Sequence, residues 1–66
     1  MNKENIAQKL ISLRGEKPRE KVAIDLNISI SALQMYENGQ RIPKDEIKVR
    51  IADYYNTTVQ DIFFNH

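Results

Sequence analysis

The stretch Leu26–Pro43, LNISISALQMYENGQRIP, decides how this chain folds. Asn27 stands where a helix ending at Leu26 needs a left-handed residue, a conformation Asn tolerates better than other non-glycine residues. Ser29 follows as a cap, its hydroxyl able to accept from the free N–H groups of a new first turn. The helix it opens runs about nine residues to Asn38 and stops at Gly39, and Pro43 prevents its resumption. A tight turn, a capped helix and a stop have the shape of a helix presented to a groove. Its outward positions nevertheless carry no Arg or Lys.

Four more helical segments flank it. Ile6, Leu10 and Leu13 recur at i, i+4 and i+7, which predicts a first helix from about Lys3 to Arg14, ended by Gly15, with this stripe facing inward. Pro18 suits the first turn of a second helix of roughly eight residues, because it lacks the N–H that goes unpaired there. Val22, Ala23 and Leu26 form that helix's buried side. A fourth helix is predicted over Lys44 to Tyr55, with Asp45 and Glu46 complementing its dipole, Ile47, Ile51, Ala52 and Tyr55 in the core, and Asn56 at its end. Thr58 to Asp61 resembles a capping box with Asp in place of Glu or Gln, so a last short helix holds Val59, Ile62, Phe63 and Phe64. Strand signals are weak, and there is no repeat, low-complexity segment or linker. The whole chain reads as one compact all-α domain, residues 1–66.

Composition narrows the function. At 66 residues the chain buries only about 60% of the surface its unfolded form exposes, so a partner subunit is the expected addition to a small core. With no Cys there is neither a disulfide framework nor a thiolate metal site, and no metal or other cofactor is expected. Charges at Lys3, Glu4, Lys9 and Arg14 interrupt any signal-like apolar run. No segment approaches the ~20 apolar residues of a membrane span, so a cytoplasmic, soluble protein is expected. The net charge of +1 and pI near 8.0 lie below the pI of about 9 that announces nucleic-acid binding by itself. Placement of charge has to decide instead.

Two short helices joined by a tight turn, with small Ala23 in the first and Ile28 in the turn, describe a helix-turn-helix over about residues 19–38. More specifically, VAIDLNISISALQMYENGQRIP resembles the signature of the Cro and phage-repressor type of regulator, the xenobiotic-response-element family. The likeness extends to LISLRG at the end of the first helix and to KVRIADYYNTTVQDIFF, and so takes in nearly the whole chain. The resemblance implies a five-helix, lambda-repressor-like domain that binds double-stranded DNA through helices two and three, usually as a homodimeric repressor. Two departures bear on the entry to helix two. The chain between Arg14 and Ala23 is about two residues shorter than the commonest family pattern, and Pro18 sits where a Ser cap is typical. Arg19 also replaces a common Gln.

With about 100° per residue, and Ile30 set at 0°, Gln34 falls at about 40°, Asn38 at about 80°, Ser31 at about 100° and Met35 at about 140°. These five share one face, and Leu33, Tyr36 and Glu37 occupy the other. Direct readout does not require Arg: Gln can bond to adenine N7 and N6, Ser to several base edges, and Ile or Met can touch the thymine methyl. Ile30, Ser31, Gln34 and Met35 are therefore the candidate base contacts, with an A·T-leaning half-site expected. The bland alternative makes Ile30 and Met35 apolar surface or a protein contact, and Gln34 a solvated helix former. Neutral readers need phosphate contacts beside them. Arg19, beside the N–H groups that open helix two, Arg41 and Lys44 around the loop after helix three, and Asn38 are the candidates, with Lys21 a weaker one.

The resemblance also implies that Arg14 and Glu37 form a structural clamp between helices one and three. If the pair is partly buried, breaking it on one side costs more than it contributes intact. Phe63 next to Phe64, like Tyr54 next to Tyr55, points about 100° from its neighbour, so not every ring can enter the core. With the homodimer that the resemblance implies, Tyr54, Phe63 and Phe64 are expected to build a two-fold interface holding two third helices about 34 Å apart, the competing reading being a fully buried aromatic pair or a frayed C-terminus. An enzyme is not expected. The only His is His66, and no nucleophile has a base beside it. Small-molecule control is not expected either. The rival reading is a protein-interaction module on the same fold, such as a small toxin partner or phage regulator, whose neutral third helix docks on a regulatory protein.

Overall fold

The first helix, α1, spans Lys3–Arg14, as its apolar spacing predicts. Its start is set by Asn2, whose side-chain oxygen accepts from the N–H groups of Glu4 at 2.9 Å and Asn5 at 3.1 Å. The remaining elements are α2 (Arg19–Leu26), α3 (Ile30–Glu37), α4 (Asp45–Tyr54) and a short π-helix (Gln60–Phe64). The structure, a computed structural model, describes residues 2–64, and His66 lies outside them. All five elements are helical and the described residues contain no strand. The radius of gyration, 10.4 Å, matches the roughly 11 Å of a compact chain of this length.

Boundaries differ from the predicted ones where a residue caps a helix instead of joining it. Pro18 is the residue before α2, with an extended ψ of 138°. Its carbonyl already accepts from Val22 N–H at 3.2 Å, so it opens the ladder from outside the first turn. Lys44 and Tyr55 likewise flank α4, and Asn38 follows α3. Asn27, Gly39 and Asn56 all have positive φ. Beyond each, the next N–H reaches back over the helix end: Ile28 to Ala23 O, Gln40 to Met35 O and Thr57 to Ala52 O, at 2.9–3.0 Å. This left-handed closure satisfies carbonyls that the helix leaves orphaned. At the last helix Thr58 Oγ1 accepts from Asp61 N–H at 3.1 Å, one half of the predicted capping box.

The core gathers Ile6 and Leu10 of α1, Val22, Ala23 and Leu26 of α2, Leu33 and Tyr36 of α3, Ile51 and Ala52 of α4, and Ile62 and Phe63. Leu13, expected to face inward, is partly exposed. It lies on the rim of an open groove shared with Thr57, Asp61 and Ile62, where the chain beyond α4 does not fully cover it. Ala7 is buried instead. Ile47 and Tyr55 are only half-buried, while Lys48, which no apolar count assigns inward, is buried. Lys48 lies beneath two aromatic rings, with its ammonium 5.8 Å from the Phe63 centroid and 5.3 Å from that of Phe64. The stem fills apolar space and the charge meets the ring faces and Asp45 Oδ1 at 3.3 Å.

Candidate nucleic-acid interface

The candidate interface lies on α3, and two capping devices set the position of that helix. Ser29 Oγ accepts from Ala32 N–H at 3.0 Å, closing the start of the helix. In the turn before it, Asn27 adopts φ 57° and ψ 45°. Arg50 of α4 then reaches across to donate to Leu26 O at 2.7 Å and Asn27 O at 3.5 Å. A guanidinium on the last carbonyls of a helix both satisfies them and opposes the negative end of the dipole. Arg50 therefore ties the turn to α4, a role that its position in the sequence does not reveal.

Leu33 and Tyr36 anchor the inner side of α3 in the core. On the outer side Ile30, Ser31, Gln34 and Asn38 are exposed and Met35 is half-buried. The structure thus presents four of the five residues on the predicted face and keeps Met35 at its edge. Arg41 and Lys44 are exposed in and after the following loop, and their side chains make no hydrogen bond or ion pair among the described residues. Lys21 is engaged elsewhere, its ammonium 3.0 Å from Asp25 Oδ2.

Glu37, the last residue of α3, has a fully buried side chain. Arg14 Nε donates to both of its oxygens, at 2.9 and 3.2 Å, and Arg14 Nη1 also donates to Lys17 O at 2.9 Å. The structure so brings together the two residues of the expected clamp. It adds a third: Arg19 Nε donates to Glu37 Oε1 at 3.0 Å. Arg19, expected as a phosphate contact alone, is held to the protein because a buried carboxylate needs all the donors within reach. One carboxylate on α3 thereby binds α1 and the start of α2. Nearby, the Tyr55 hydroxyl is buried and has no hydrogen-bond partner. Burial, reinforced by the negative charge of Glu37, pushes its phenol up to about 12.

The three residues expected at a two-fold interface separate. Phe63 is 0% exposed and belongs to the core, so it offers no surface. Tyr54 turns to α2, where its hydroxyl donates to Asp25 Oδ2 at 2.7 Å and the Lys17 ammonium sits 5.0 Å from its ring centroid. That hydroxyl and the Lys21 ammonium hold the Asp25 carboxyl below the usual carboxylate range. Phe64 alone is substantially open, at 47%. Lys48, which touches Phe64, and Tyr54 leave α4 about 120° apart, so the trio forms no single patch.

None of the helices among the described residues is long and apolar enough to cross a membrane. A family model described as helix-turn-helix matches residues 10–62. No curated protein sequence and no solved structure matches the chain significantly.

Proposed function

The chain belongs to the helix-turn-helix family of DNA-binding transcription regulators, and on that premise we propose that it is a sequence-specific repressor of the Cro and phage-repressor type. In this reading residues 1–66 are a single DNA-binding domain acting in the cytoplasm as a homodimer on a palindromic operator. The observation that carries it is the division of α3 into a face tied down by Leu33, Tyr36 and Glu37 and an uncharged polar face left open. Ser31 and Gln34 read base edges in the major groove, and Ile30 touches a thymine methyl, with Met35 at the margin. Arg41, Lys44, Asn38 and the free edge of Arg19 hold phosphates on either side. The apolar contribution to dimerisation comes from Phe64, supported by the exposed Val49 on α4.

Selection of bound sequences from random duplex DNA tests this reading. A two-fold symmetric, A·T-leaning motif is expected, and Gln34→Ala should lose about 1–3 kcal/mol of discrimination at one position of each half-site. Recovery of no symmetric motif, together with unchanged binding by Gln34→Ala, refutes it. The exposed Ile24 and Ile30 favour the second reading, a surface for another protein. Salt separates the two, because phosphate binding weakens steeply with ionic strength and an apolar protein contact does not.

A further inference from the structure

Two arginines share the buried carboxylate of Glu37, and they are not equivalent. Arg14 is 16% exposed, faces both carboxylate oxygens through Nε, and directs Nη1 to the Lys17 carbonyl. Donors on two of its three nitrogens, Nε and Nη1, are committed within the protein. Arg19 is 31% exposed and makes one hydrogen bond, from Nε to Oε1. A guanidinium has five N–H donors in a rigid plane, so fixing Nε fixes the direction of the four on the Nη atoms. Neither Nη atom of Arg19 has a partner among the described residues. Within the cluster of Arg14, Arg19 and Glu37, two positive charges share one negative charge.

From this geometry we infer that Glu37 is a positioning residue for DNA binding: it holds Arg19 by the Nε edge so that the Nη edge meets a backbone phosphate. The inference rests on the DNA-binding reading above and adds a requirement to it. Glu37 ends the helix that carries Ser31 and Gln34 and lies about 60° around its axis from Gln34, so the same carboxylate sets where the phosphate grip lies relative to the base readers. An arginine can be held and bind at once because its donors diverge. A lysine presents its three donors from one nitrogen and in no fixed plane, so it lacks the separate edges by which a guanidinium holds Glu37 and faces a phosphate at once.

The test measures affinity of the purified chain for a random-sequence duplex between about 50 and 200 mM salt, alongside urea unfolding of each variant. Arg19→Gln should flatten the slope of log affinity against log salt by about 0.9, the loss of one phosphate. Arg19→Lys should keep either that slope or the native stability, not both. Glu37→Gln should weaken binding when Arg19 is present and weaken it less in the Arg19→Gln background, where only Arg14 is left to lose its partner. Full retention of slope and stability by Arg19→Lys overturns the inference. So does an unchanged slope in Arg19→Gln, or an equal loss from Glu37→Gln in both backgrounds, which marks a general structural effect. Failure of the unmodified chain to bind DNA overturns the parent reading instead, and is told apart from these by the wild-type measurement alone.

Discussion

Replacing Glu37 by Ala should be among the costliest single changes available to this chain. The side chain is fully buried and receives hydrogen bonds from Arg14 and Arg19. Removing one partner of a buried pair typically costs about 3–5 kcal/mol, because the remaining charge loses its compensation. Both arginines retain some exposure, 16% and 31%, so they regain part of their hydration and the lower end, about 3 kcal/mol, is expected. At about 0.05–0.15 kcal/mol per residue, the whole chain has roughly 3–10 kcal/mol to lose. With a urea slope of about 1 kcal/mol per molar, the midpoint moves down by about 3 M, or the chain is unfolded before urea is added. Far-UV circular dichroism against urea reads this directly. Arg14→Ala should cost more than Arg19→Ala, since Arg14 is the more buried and also bonds to Lys17 O. A Glu37→Ala cost under about 1 kcal/mol, the value of an exposed pair, would refute the argument.

Two other substitutions probe backbone and burial. Tyr55→Phe deletes a buried hydroxyl with no partner and should leave stability unchanged or raise it by about 1 kcal/mol, read as a thermal midpoint up to about 4–8 °C higher. The phenol's folded value of about 12 lies above the unfolded value near 10. The unfolded state therefore releases its proton first: this contribution is complete below about pH 10 and is lost as pH rises through about 12. The difference in stability between wild type and Tyr55→Phe should follow that window, and a difference flat across it contradicts the assigned burial. Gly39→Ala has room, since a Cβ there meets Lys3 O at 3.6 Å and Ala7 Cβ at 3.9 Å, but its φ is +74°. The strain of that backbone should cost about 1–2 kcal/mol in urea unfolding, and a loss within error of zero would show that Gly39 is not held left-handed.

Elements whose signals are local were readable before the structure. The ends of α3 follow from Ser29, Asn38 and Gly39, and the extent of α1 from the spacing of Ile6 and Leu10. Partners distant along the chain were not. The place of Glu37 on the inner side of α3 does not come from angular count, which puts it only about 20° from Ile30; its full burial follows from helix packing, and nothing local distinguishes one arginine donor from two. Arg19 lies 18 residues from Glu37 and Arg50 lies 24 from Leu26, separations at which only the packing of helices decides contact. Lys48 was hidden for another reason: a polar label conceals a four-carbon stem able to fill the space under Phe63 and Phe64. Once that stem is in place, Phe63 closes the core and Phe64 is the ring left outside.

The burial of Glu37 also bears on how so small a core can hold a reading helix still. An apolar residue at that position would avoid desolvating a charge, and well-packed apolar substitutes for buried ion pairs are often no less stable. Stability alone therefore gives little reason for a carboxylate here. Direction does. α3 has eight residues and sinks only Leu33 and Tyr36 as apolar anchors, and apolar contacts tolerate rotation about the helix axis better than hydrogen bonds do. Bonds arriving at one carboxylate from α1 and from the start of α2 oppose rotation and sliding together. Because one residue corresponds to about 100° of turn, even a fraction of a residue's rotation would carry Gln34 away from a base edge. We read the three-residue clamp as the device that holds this register, so the penalty for Glu37→Ala should appear in DNA discrimination as well as in urea.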